Sequence, residues 1–431
     1  MIWQRLTAVL LFLLPIGVLL GPYAAAGPLT LFRLTVAGLM VCAAVVGCRW
    51  RHEIWLVGLG IVWLLVGVLS GLTGPVRPAW ADLLNLSVGF VLAWSLARLR
   101  DAGSVPARPG SGSALAWLAL GWQTAVLISA PVAIWERATT RHLSDFIDGQ
   151  WVGRPLVYPL PGTFFVNPNY YALFLTVGIS VFGYRAVVTR GWRRIWHGAL
   201  CLIAGALLTL TGAQACVMGL IWMAVGAVLV IRRGVWAVLT AGVIGVVLVV
   251  VVAGPRLAEV LRMWQQIWSG QDLGSTSLPV RMALLSFGLR LAVAHPWLGV
   301  GPGGFAQLAA LADASRFPLH HKINSHNGII QVATEYGIPL AGCLVLVWAW
   351  IGVSCWRRRR RDRPLAGLTL ALILSAPLLS VANSLFIGPN VVAVWMALIV
   401  LVEAMADTLS QDGRPSRRPP VSSIGESQCE S

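Results

Sequence analysis

Charge is scarce in this chain, and lysine is almost missing. Asp, Glu, Lys and Arg make up 11% of its 431 residues, where a soluble domain carries roughly 25%. That shortage excludes an ordinary water-facing surface. Lys322 is the sole lysine, so the net charge of +16 rests on arginine. The seven cysteines (42, 48, 201, 216, 343, 355 and 429) fall in apolar runs, at their basic ends or in the tail. None lies where an oxidising exterior would reach it, so no structural disulfide is expected. What the chain has instead is apolar length: 57% of it is hydrophobic, and its mean hydropathy is +0.77. Runs of about 20 apolar residues recur from end to end, each long enough to cross a bilayer core. Backbone in lipid must bond within its own segment, so these runs are expected to be helices.

Twelve segments are read in this way: 6–26, 29–47, 54–72, 80–97, 114–134, 165–183, 198–211, 213–231, 235–253, 327–356, 365–385 and 391–409. The expected fold class is therefore an all-α integral membrane protein with about twelve transmembrane helices. With Arg5 and both termini in the cytoplasm, strict alternation puts every short basic loop inside. These are Arg49–Arg51, Arg98–Arg108, Arg185–Arg194, Arg232–Arg233 and Arg357–Arg363, the bias that orients membrane helices. The same bias accounts for the +16, so nucleic acid is not an expected partner. Ala24-Ala25-Ala26 also fits a signal-peptide cleavage site, but with this many spans the first one is expected to be retained. Residues 1–410 form one membrane domain, and 411–431, rich in Pro, Ser and Arg, form a disordered cytoplasmic tail.

Two outside segments are too long to be turns. Residues 135–164 carry Arg137, Arg141, His142, Asp145, Asp148, Trp151 and Arg154. Residues 254–326 carry most of the other exterior charge together with Trp264, Trp268, Phe287 and Trp297, which argues for short helices packed at the membrane surface. Arg281–Ala294 reads as an amphipathic helix, closed before Pro296 by the turns of Gly299, Gly301, Gly303 and Gly304. Those glycines follow no strand, so they are not a nucleotide fingerprint. Arg281 and Arg290, nine residues apart, point to opposite sides of a helix. For either, an arginine snorkelling toward lipid phosphates is as good a reading as a functional one.

The spacing of His320, His321 and His326 is poor for a metal site, and no exterior cysteine joins them; no metal and no other cofactor are expected. His326, with Asn327 beside it, lies where the outer loop enters the tenth span, at the water interface, where an imidazole can serve as a base. Glu335 is expected about 13 Å deeper on the same helix and on its other side. A carboxylate at such depth is functional by default, and a buried arginine partner or a backbone contact is an equally good reading.

At these residues the chain resembles the O-antigen ligase and polymerase family. The first match is Gly162-Thr163-Phe164-Phe165-Val166-Asn167-Pro168-Asn169-Tyr170-Tyr171-Ala172. The second runs from Arg281 through His295-Pro296-Trp297-Leu298-Gly299-Val300-Gly301-Pro302-Gly303-Gly304-Phe305. The third is Ser325-His326-Asn327 followed by Glu335-Tyr336-Gly337-Ile338. The motifs occur in the family's order and cover roughly 160–345. One departure stands out: the family's Ser-Arg-Gly at the start of a span is here Thr211-Gly212-Ala213-Gln214-Ala215. The arginine that helps hold the diphosphate is replaced by Gln214.

The resemblance implies a fold like that of other membrane glycosyltransferases that use lipid-linked donors. It implies transfer of a glycan from undecaprenyl diphosphate to a hydroxyl of lipid A core, growing glycan or protein, at the outer face of a bacterial inner membrane. It assigns His326 as general base and Arg281 as the grip on the diphosphate. Asn167, Asn169, Asn327, Arg290, Glu335 and Gln214 would surround the substrates. Asn-Pro-Asn is equally a helix-start device. Two other classes compete: a polysaccharide transporter or flippase, and a non-catalytic partner in export, which Gln214 makes credible. Transfer by the purified protein separates enzyme from both.

Overall fold

The computed structural model describes residues 2–27, 29–49, 52–100, 114–143, 146–147, 150–151, 160–165, 167–231, 265–266, 277–315, 325–360, 362–382 and 391–412. Helices dominate it, as apolar runs without water to bond their backbone require. In chain order they are α1 (Ile2–Leu20), α2 (Leu31–Val46), α3 (Glu53–Thr73), α4 (Trp80–Arg98), α5 (Ala114–Thr139), α6 (Pro168–Val188), α7 (Trp192–Leu210) and α8 (Gln214–Ile231). There follow α9 (Ser277–Ala294), α10 (Gly304–Ser315), α11 (Gly328–Tyr336), α12 (Ile338–Arg358), α13 (Arg363–Ala382) and α14 (Val391–Asp412). Two tiny antiparallel pairs complete it: β1 (Ala25–Ala26) with β2 (Leu29–Thr30), and β3 (Phe146–Ile147) with β4 (Gln150–Trp151).

Every expected apolar segment except 235–253, which lies outside the described residues together with the tail beyond 412, falls on a helix. By length and composition α1, α3, α4, α5, α6 and α12 suffice to cross a membrane, and α2 with parts of α8, α13 and α14 are shorter apolar helices. One expectation is corrected. Residues 327–356 are two helices, not one, because the chain turns sharply at Gly337 (φ +93°). The long helix starts at Ile338, with Pro339 in its first turn, where a missing N–H costs nothing. The surface helix begins at Ser277 rather than Arg281.

A large core joins the long helices through Trp63, Trp122, Tyr171, Phe174, Phe182 and Trp395, each buried. A separate small core of Val280, Ala283, Leu284, Phe305 and Ala309 holds α9 to α10. Outward-facing surfaces stay greasy: Ile54 is 87% exposed, Leu202 77% and Ile195 75%. Apolar area on that scale suits a lipid surround. At one end, Arg98 bonds to Glu53 (3.4 Å) and to the Gly47 carbonyl (3.3 Å), and Arg100 to the Arg49 carbonyl (3.2 Å). These bonds gather two of the expected basic loops.

Candidate active site

The second and third motifs interlock. Residues 295–304 wrap around the break between α11 and α12: the Val300 N–H donates to the Thr334 carbonyl (2.8 Å), the Gly301 N–H to that of Glu335 (3.1 Å), and the Ile338 N–H to that of Pro296 (2.8 Å). Backbone meets backbone here, so side chains are excluded. A Cβ on Gly337 would overlap the Trp297 carbonyl, and one on Gly299 the Glu335 backbone. Gly299, Gly301 and Gly303 all have positive φ (72°, 94° and 70°), which makes them turn residues as expected. The loop also rests on the α3–α4 connection, where the Ala79 N–H donates to the Pro302 carbonyl (2.8 Å).

Glu335 is the peg of this arrangement. It is fully buried, and its carboxylate accepts the backbone N–H groups of Gly303 and Phe305 at the start of α10. An anion at a helix N-terminus satisfies donors that the helix leaves open. Gln331, also buried, lies 3.5 Å from both of its oxygens. The sequence reading put Glu335 inside a span; it sits instead at the mouth of one, on the helix before the break.

α9 and α11 pack side by side and run in the same direction. Gly288 faces Ile330 and Thr334, whose hydroxyl donates to the Gly288 carbonyl (3.2 Å), while further along both chains Pro296 meets Ile338. Arg281 precedes Gly288 by seven residues, about two turns, and so shares its face. His326 precedes Ile330 by four. Both therefore come to the N-terminal end of the pair. Arg281 is half-buried, and no hydrogen bond or ion pair engages it among the described residues. Burial draws its guanidinium below the usual arginine range, yet a guanidinium remains charged at any physiological pH. Arg290 points the other way and is exposed, as nine residues of helix require.

His326 is half-buried with φ +47°, one of three non-glycine residues among those described with positive φ. Such a backbone costs about 1–2 kcal/mol for a side chain with a Cβ, a strain that recurs at functional sites. Asn327 follows as the N-cap of α11, its Oδ1 accepting the Ile330 N–H (3.1 Å). His320 and His321 lie outside the described residues.

Asn167 and Asn169 belong to a second cluster. Asn167 caps α6, its Oδ1 accepting the Asn169 N–H (2.9 Å), with Pro168 at the first position. What holds this start in place is Glu136, a residue the sequence reading passed over. Glu136 ends α5 fully buried, and its oxygens accept the N–H groups of Leu143, Gly162 and Thr163, each at 2.8 Å. His142 Nδ1 lies 3.6 Å away. One carboxylate thus ties the two ends of the 143–162 loop and the strained Thr163 (φ 52°). Nothing local announced it, since its three partners are backbone groups up to 27 residues away. Gln214 opens α8 just after Gly212, which packs on Leu160 at the edge of the same cluster.

No curated protein matches the chain. One family model does, that of O-antigen ligase, over residues 197–345. This stretch holds Gln214, Arg281, the glycine loop and the whole of 325–337, while Asn167 and Glu136 precede it. Two of the three motifs by which the chain resembles that family, Arg281 to Phe305 and Ser325 to Ile338, lie inside the matched stretch.

Proposed function

We propose that this protein moves a glycan from undecaprenyl diphosphate to a hydroxyl acceptor, with inversion, at the extracytoplasmic face of the bacterial inner membrane. What supports this reading is the packing of α9 against α11, which puts Arg281 and His326 at the same end of the pair. A partly desolvated guanidinium that no described residue engages is a strong site for a diphosphate, which it can grip through two parallel hydrogen bonds. As the acceptor oxygen attacks the anomeric carbon, the His326 imidazole takes its proton. The diphosphate leaves with the electron pair of the broken bond, and Arg281 offsets the charge that develops there. The donor is anchored in lipid and enters from the side of the helical bundle. Neither a metal nor a nucleotide sugar takes part. Gln214 leaves one family cation missing, so Arg281 carries more of the charge stabilisation here.

The test is transfer by purified protein from a defined undecaprenyl-diphosphate donor, with donor binding followed separately. His326→Ala should lower transfer about 10²–10⁴-fold, the usual contribution of a general base, and leave donor binding intact. Arg281→Ala should weaken binding as well, and Arg281→Lys should restore part of it, since lysine keeps the charge and loses the fork. Near-normal transfer by folded His326→Ala protein sinks the mechanism.

A further inference from the structure

One side of α12 faces outward along its whole length. Ile338, Gly342, Val345, Leu346, Val353 and Trp356 are exposed there, and a Cβ on Gly342 meets nothing within 4 Å. These positions recur every three or four residues, so they form one apolar stripe. From Ile338 to Trp356 it runs about 27 Å at 1.5 Å per residue, close to the thickness of a hydrocarbon core. Its far end is marked by an aromatic residue. Trp356 stands just before the basic run Arg357–Arg360, with the Arg359 guanidinium 3.8 Å from its ring centroid. A tryptophan with a polar tip and an apolar body suits the boundary between lipid and water.

The near end has no such residue of its own, since 338–347 contains no aromatic side chain. Trp297 stands there instead. The Ile338 N–H donates to the Pro296 carbonyl (2.8 Å), and the Trp297 carbonyl abuts Gly337, so residue 297 adjoins the first residue of the stripe. Trp297 is 77% exposed, and Val293 in the last turn of α9 is 73% exposed. Neither contributes to the small core between α9 and α10. The apolar surface of α12 thus continues without a break onto the end of α9.

We infer that Val293 and Trp297 form a lipid-contact surface, seated in the interfacial layer of the membrane at the end of α12 opposite its basic run. A connecting loop thereby supplies the boundary residue that α12 lacks, and it fixes the level of the Gly337 joint against the bilayer. Lipid is the occupant because the patch is continuous with a stripe of spanning length and completes the aromatic pair at its two ends. The inference rests on the reading of α12 as a span and is independent of the proposed transfer reaction.

Photo-crosslinking of the full chain, in vesicles of phosphatidylethanolamine and phosphatidylglycerol, tests it. The photoreactive analogue benzoylphenylalanine is placed at Trp297 or at Val293, with Leu346, 70% exposed in the middle of the stripe, as the reference position. After irradiation, protein carrying the analogue at either position should gain the mass of one phospholipid, at a yield similar to that at Leu346. Either position suffices if the other gives no folded protein. Absence of a lipid adduct from folded protein, where Leu346 gives one, overturns the inference. So does an adduct to a second copy of the chain in place of lipid, which would make the patch a protein interface. The measurement uses neither donor nor acceptor, so its failure leaves the transfer reaction standing.

Discussion

At its C-terminal end, α11 is a fitted part: Glu335 and Tyr336 are fully buried, and the Trp297 carbonyl fills the space where a Gly337 side chain would stand. At its N-terminal end, about 13 Å away along the axis, His326 is half-exposed and holds a left-handed backbone without being glycine. The same conformational demand is thus met in two ways. Where only shape matters, the residue is glycine, and the turn is unstrained. At His326 the residue carries a Cβ, and the strain is retained. One motif in the sequence is therefore two features in space, a fitted joint and a strained histidine, set apart by a nine-residue helix.

Substitution at the joint should have the largest effect. Gly337→Ala meets backbone and a positive φ together, and should cost about 3 kcal/mol or more. Folded protein recovered by fluorescence-detected size exclusion should collapse, while Gly198→Ala, in open space within a helix, should be neutral or better. Normal yield of Gly337→Ala protein would show that the break is not a fitted joint.

Next comes Glu136→Ala, which strands three N–H groups, two of them buried, and should cost about 2–3 kcal/mol. Glu136→Gln, which keeps one acceptor oxygen, should recover part of the thermal stability. If alanine leaves the melting temperature unchanged, the carboxylate is not what ties the loop.

Asn327 separates cap from substrate contact. Asn327→Ala should lose about 1 kcal/mol of stability, and Asn327→Ser should regain most of it. A serine variant with restored stability but little transfer would reveal a contact to substrate beyond the cap.

The smallest effect should have the opposite sign. His326→Gly should stabilise the protein by about 1 kcal/mol, because the left-handed backbone no longer carries a Cβ, while transfer is lost. A destabilised His326→Gly protein would mean that the imidazole packs as a structural part, and the contrast between the two ends of α11 would disappear.

Much of this was legible beforehand, because it is local. Asn167-Pro168-Asn169 carries a helix start in three residues, and the glycines of 299–303 read correctly as turns because positive φ is a property of the residue itself. Glu136 was illegible for the converse reason. It looks like the charged end of an apolar run, and its partners are defined only once the loop has closed. Glu335 was seen but misplaced, since its run of apolar neighbours continues without interruption across Gly337.

The sequence by itself determined where the long helices lie, because an apolar run fixes both burial and backbone bonding within one segment. It also determined that Arg281 and Arg290 oppose each other, which follows from the helical repeat. Only the tertiary structure decided which of the two lies on the face of α9 that packs against α11. That choice depends on α9 running in the same direction as α11 and on Gly288 allowing the two helices to close on Ile330 and Thr334. Packing between segments more than 40 residues apart is set by the shapes of both, and no pattern within either one records it.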